Sequence, residues 1–403
     1  MLISKIIHTP RQIGAPSQFL FWGLLLSVLG LFFSSNYLKL GSLFLMGLYI
    51  FLPVKKIRRY RGEKLEFYLL LPCVIGILFA WKNHLADAVR DILFFLIPYI
   101  YFLAGKRFFK QGGNIRALIF GYSKIYCVIF LLLLCFFWYE MGFIGVLEIR
   151  DFVSPGSFLL VYCIVLLYEK RKSWRNLLHN PWFIAVHAVF LAQFSRTYVI
   201  ILAAFFFLSG KKILDTKIMW RAIAFFFIAA LMAGAFGLYD LIGETLHKAI
   251  SELHFNDDWT QEDMGTSYRA YEIFAAFNEF KNYPFINKIF GGGFGALVHL
   301  DFSVVLGGGE YSEIPWMHNG YLYILIKSGL IGMLCYLTFL VKIFRRAKHC
   351  IDPRGRVMIL GSIAGLLLSN MVICGIFSNE SVFCYIVLGY FSSFLATKKT
   401  GLH

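Results

Sequence analysis

The stretch that decides the fold runs from Lys106 to Tyr139. It opens on Lys106-Arg107-Phe108-Phe109-Lys110-Gln111-Gly112-Gly113-Asn114-Ile115-Arg116 and continues as the apolar run ALIFGYSKIYCVIFLLLLCFFWY over 117–139. Four positive charges lead into an apolar run of about 20 residues, the length and flanking a lipid bilayer requires of a spanning helix. The rest of the chain repeats this pattern. Apolar spans fall at 18–35, 39–54, 66–81, 88–105, 117–139, 157–168, 180–195, 197–210, 219–239, 320–344, 357–377 and 382–397. The basic connectors are 55–61, 106–116, 170–175, 211–212, 345–348 and 398–399, and each follows an even-numbered span. Positive charge collects on the cytoplasmic side, so both termini are expected to be cytoplasmic. The fold class expected is an all-α polytopic membrane protein of about twelve transmembrane helices, the first span acting as a signal anchor.

Composition agrees. Of 403 residues, 59% are hydrophobic, 18% aromatic and 15% charged, against about 25% charged in soluble domains. The mean hydropathy is +0.68. A disordered chain, a collagen, a coiled coil and a small disulfide scaffold are excluded. The net charge of +16 would suggest nucleic acid on a soluble protein. Here the positives flank apolar runs, so no nucleic-acid partner is expected. The eight cysteines lie in apolar runs or at their ends, without metal-ligand spacing.

The segment 240–318 breaks the pattern. It divides the chain into helices one to nine over 1–239, a large external (periplasmic) loop over 240–318, and helices ten to twelve over 319–403. The loop holds twelve of the 23 acidic residues but only Lys248, Arg269, Lys281 and Lys288 as positives. A loop this long is expected to be folded and functional. Ala270, Ile273, Phe274, Phe277 and Phe280 recur at helical steps, predicting an amphipathic helix over 267–281 that lies on the bilayer or the helix bundle. Pro284 stops it. Gly291–Gly295 reads as a tight turn and Gly307–Gly309 as a hinge.

Charges at the external rim are the candidates for chemistry. Alone, Arg196 reads as a snorkelling arginine at a helix end, Arg269 as an intrahelical partner of Glu272, and His318 as an interfacial histidine. Together on one face they acquire another meaning. Imidazole takes a proton near neutral pH, and guanidinium forks bind phosphate oxygens. The acidic pairs Asp257-Asp258 and Glu262-Asp263 read as a solvated loop face. His187 reads as a core histidine satisfied by a neighbouring helix, and Lys124 and Lys327 as snorkelling lysines. The segment Lys82–Arg90 is a possible lining of a substrate cavity, through Arg90.

The stretch His318-Asn319, nine residues, Gly329-Leu330-Ile331-Gly332 resembles the signature of the O-antigen ligase/polymerase superfamily. Ser195-Arg196-Thr197 before the loop is similar to the family as well. So is Tyr268-Arg269-Ala270 with Glu272, closed by Asn282-Tyr283-Pro284 and the glycine turn. Asn287-Lys288-Ile289-Phe290, interposed before the glycines, departs from the family's pattern. The resemblance implies a bacterial inner-membrane glycosyltransferase that uses an undecaprenyl-diphosphate-linked glycan as donor and a glycan lipid as acceptor. It implies neither metal nor cofactor. His318 would take the acceptor's proton, and Arg196 and Arg269 would stabilise the leaving diphosphate. Tyr268, Glu272 and Asn319 would bind substrate, with Glu272 orienting Arg269; Arg90, outside the resembling stretch, is the substrate-binding candidate of the 82–90 segment. Three functions remain open: a polymerase working with a chain-length regulator, a ligase to lipid A–core, and a twelve-helix transporter.

Overall fold

A computed structural model of the chain describes residues 15–33, 35–53, 64–141, 157–169, 180–193, 195–213, 259–261, 267–306, 309–348, 350, 352–372 and 375–399. The chain is mostly helical. The apolar spans appear as α1 (Ala15–Phe32), α2 (Asn36–Phe51), α3 (Phe67–Leu78), α4 (Leu85–Lys110), α5 (Ile115–Met141), α6 (Phe158–Glu169), α7 (Pro181–Ala192) and α8 (Arg196–Ile213). After the loop come α11 (Gly320–Lys348), α12 (Pro353–Val372) and α13 (Val382–Lys399). Among the described residues, α4, α5 and α11 are long and apolar enough to cross a membrane. The ninth expected span, 219–239, lies outside the described residues, as do the two acidic pairs.

Local chemistry sets the helix starts. Asn114, Asn180, Asn319 and Asp352 each place a side-chain oxygen on backbone N–H groups two or three residues ahead, as N-caps do. Pro181 and Pro353 follow two of these caps at a position where the missing N–H costs nothing.

The described part of 240–318 contains α9 (Tyr268–Asn282), α10 (Phe285–Phe290) and an antiparallel hairpin of β1 (Val298–Leu306) and β2 (Gly309–Ile314). The hairpin was not expected from the sequence. It pairs Val298 with Ile314 and Val304 with Tyr311 across an irregular register. The amphipathic helix is present, but its buried face differs from the expected stripe. It buries Ala270, Tyr271, Glu272, Ala275 and Ala276, while Phe277 is exposed. The residues interposed before the glycines, Asn287–Phe290, belong to α10.

Gly291–Ala296 is wedged between helices. Gly291, Gly293 and Gly295 all have φ near +84°, a region that side chains rarely occupy. The turn satisfies backbone groups that broken helices would otherwise leave bare. α11 breaks at Gly329 (φ 64°, ψ −165°), and the Ile326 carbonyl accepts the Gly292 N–H at 2.8 Å. The Gly76 carbonyl near the end of α3 accepts the Phe294 N–H at 2.9 Å, and Asn83 Nδ2 donates to the Gly292 and Phe294 carbonyls. Inside lipid, only such internal pairing makes irregular backbone tolerable. A Cβ on Gly291 would stand 2.5 Å from the Lys327 carbonyl carbon and the Ser328 nitrogen. Gly291→Ala is therefore expected to cost about 1–3 kcal/mol in backbone strain alone, before that overlap is added. A clear drop in apparent Tm of the detergent-purified protein, or failure to accumulate, checks this.

Candidate functional site

His318 sits at the end of the loop, one residue before the Asn319 cap of α11. α9 runs against it and carries Tyr268 and Arg269 in its first turn and Glu272 one turn further on. Glu272 is 1% exposed. One of its oxygens accepts the His318 backbone N–H, and the other lies 2.7 Å from His318 Nδ1. A buried carboxylate has to be paired, and here both oxygens are. With Nδ1 donating to Glu272, the free lone pair is on Nε2. The histidine side chain is 40% exposed, so it faces outward. Glu272 thus holds His318, a contact that the sequence did not suggest.

Tyr268 stands edge-on to the His318 ring at 6.3 Å between centroids. Burial, reinforced by Glu272, pushes its hydroxyl above the ordinary tyrosine range, so it remains a donor at neutral pH. Asn319 is occupied as a cap, its Oδ1 accepting the Tyr321 and Leu322 N–H groups at 3.0 and 3.1 Å. Arg269 is half-buried beside Tyr268 on the same helix. Tyr271 ties α9 to the hairpin, its hydroxyl accepting the Phe302 N–H at 3.2 Å. Arg196 begins α8, and its side chain lies outside the described residues.

Arg90 falls into a different group. Its guanidinium meets Asp87 at 3.0 Å and Asp91 at 3.6 Å. Asp91 and Lys327, both fully buried, form an ion pair at 2.6 Å. Asp91 also accepts the Tyr323 hydroxyl at 2.5 Å and the Gly295 N–H at 2.8 Å, while Lys327 donates to the Ala296 carbonyl at 2.5 Å. Lys327 therefore does not snorkel as expected. Its ammonium is neutralised inside the bundle, where an unpaired charge is very costly. The pair binds α4, α11 and the glycine turn into one unit below His318.

Sequence reasoning missed Asp91 as a partner, although a signal was present. It is a carboxylate within the span 88–105, and ionisable groups inside spans usually pair with one another. His187 is buried as expected, but its Nδ1 bonds the Phe183 carbonyl of its own helix at 2.7 Å. Lys124 is exposed and sits over the Trp182 ring, in keeping with snorkelling. No group of three or more metal-ligand side chains occurs among the described residues.

No curated protein matches the chain. Residues 181–337 match the model of the O-antigen ligase family. The match includes Arg196, Arg269, Glu272, His318, the glycine turn and the α11 break. That family contains ligases and polymerases, glycosyltransferase-like membrane enzymes. The part of the chain that builds the site is thus similar to the O-antigen ligase family.

Proposed function

We propose that the protein transfers a glycan from an undecaprenyl-diphosphate carrier to the hydroxyl of an acceptor glycan at the periplasmic face of a bacterial inner membrane. The observation that carries this reading is the Glu272–His318 pair, with the half-exposed imidazole edge-on to Tyr268. A sugar hydroxyl is a weak nucleophile, and His318 Nε2 accepts its proton as the oxygen attacks the anomeric carbon. The bond from that carbon to the diphosphate oxygen breaks, and its electron pair leaves with the lipid diphosphate. Arg196 and Arg269 stabilise the charge that develops there. One displacement inverts the anomeric centre, and the proton ends on His318.

The acceptor we favour is a second lipid-linked repeat unit, which makes the reaction polymerisation. Reconstitution with lipid-linked units alone is expected to give a ladder of longer glycans. Products that appear only when lipid A–core is supplied would make the protein a ligase. Arg269→Lys is expected to lower kcat/KM by about tenfold or more, because an ammonium cannot reproduce the planar fork. Wild-type turnover in that variant would count against diphosphate binding by Arg269.

A further inference from the structure

Residues 375–381, beyond the matched stretch, fold as two tight turns, Gly375–Phe377 and Asn379–Ser381, between α12 and α13. One side of this segment is registered against the start of α11. The Ile376 N–H donates to Asn370 Oδ1 at 2.9 Å, and Asn370 Nδ2 donates to the Tyr336 hydroxyl at 3.3 Å. Phe377 packs on Tyr323 of α11 and Phe95 of α4, with ring centroids 5.3 and 4.3 Å apart. Gly320, two residues after His318, passes so close that a Cβ there would stand 2.8 Å from Asn370 Cγ. The other side reaches α8. Glu380 Oε2 accepts the Tyr198 hydroxyl at 2.7 Å. Tyr198 is 1% exposed, lies two residues after Arg196, and stands edge-on to Phe158 of α6 at 5.6 Å.

We propose that Glu380 is a positioning residue whose hydrogen bond to Tyr198 fixes the start of α8, and with it Arg196, relative to α11 and His318. The proposal rests on the transferase reading, in which Arg196 and His318 act on one donor. Two arginines can stabilise a leaving diphosphate only if they are held where its charge develops. Arg196 and His318 are carried by helices far apart in sequence, and the 375–381 segment is joined to both. Lys39 of α2 and Tyr126 of α5 are the other charged or titratable groups that face the Glu380 carboxyl. Burial pushes that carboxyl up to about 7, against the pull of Tyr198 and Lys39. Near neutrality it therefore populates both forms, and each keeps an oxygen that accepts from Tyr198. A neutral amide can serve the same purpose.

The test uses full-length protein carrying two genetically placed labels, at exposed Ile200 of α8 and exposed Leu334 of α11. Glu380→Ala is expected to broaden the distance distribution between the labels. It is also expected to raise KM for an undecaprenyl-diphosphate oligosaccharide about tenfold while kcat falls less. Tyr198→Phe should do the same. Glu380→Gln should restore both the distances and KM to within about twofold, which also shows that the site tolerates substitution. Unchanged distances in Glu380→Ala, or a Gln variant as impaired as the Ala variant, overturns the proposal. If Arg196→Ala and His318→Ala turn over normally, the transferase reading fails, while the label distances still decide whether Glu380 anchors α8.

Discussion

Replacing His318 by alanine is expected to lower turnover by about 10²–10⁴-fold at unchanged protein level, the contribution of a positioned general base. The loss should appear in kcat, because the imidazole acts on the proton in flight rather than on the bound lipid. Glu272→Gln sharpens the test. The native carboxylate accepts two N–H groups of His318, one from the backbone and one from the ring. An amide offers one carbonyl oxygen for both, so one N–H meets the amide NH₂ instead. The ring relieves this by moving its proton to Nε2, the atom that must accept from substrate. Glu272→Gln is therefore expected to approach the alanine variant in turnover while binding donor normally. Full activity in Glu272→Gln would show that the carboxylate does not set the tautomer. Vectorial transport that survives His318→Ala, without any glycan product, would point to a carrier instead.

Lys327→Met is expected to be the most destabilising single change in the bundle. It removes the ammonium and leaves the Asp91 carboxylate fully buried beside Tyr323 and Gly295. Breaking a buried pair from one side costs about 3–5 kcal/mol. The double variant Asp91→Asn/Lys327→Met keeps a side-chain acceptor for the glycine turn and carries no charge. It should recover most of the loss, since exchanging both partners of a buried pair is often close to neutral. Melting of the detergent-purified single and double variants decides the matter. A double variant no more stable than Lys327→Met would mean that the charges themselves, and not their pairing, hold the turn. Arg90 and Asp87 make the comparison cleaner: the four groups carry two positive and two negative charges, and the double variant preserves that balance.

The bundle was legible because membrane helices announce themselves. The run 117–139 lies within α5, and 320–344 opens at Gly320, the first residue of α11, since lipid permits few alternatives to a continuous apolar helix. Asn282-Tyr283-Pro284 marked the end of α9 because proline cannot continue a helix. The hairpin escaped notice although Val298-His299-Leu300-Asp301-Phe302-Ser303-Val304 alternates apolar and polar residues, the pattern of a half-buried strand; its second strand carries no such alternation and pairs with a register break. The roles within the site were only half legible. Residue type and the rim of the spans marked His318, but nothing in the spacing of Glu272 shows that it meets a residue 46 positions away. Helical spacing made the nearer partner, Arg269, the natural expectation and gives no sign of the distant one. Lys327 misled for a related reason. A lysine in a span looks able to reach water until a carboxylate on another helix is found beside it.

The glycine wedge also dictates an order of assembly during synthesis. Its amides are received by Gly76 and Asp91, made long before it, and by Ile326, made after it. A nascent chain that ends before α11 holds the Gly76 and Asp91 acceptors but not Ile326. It also lacks Lys327 to neutralise Asp91. Settling of the glycine wedge therefore waits on α11, and a chain cut short before that helix would carry every residue of the turn without its full set of partners.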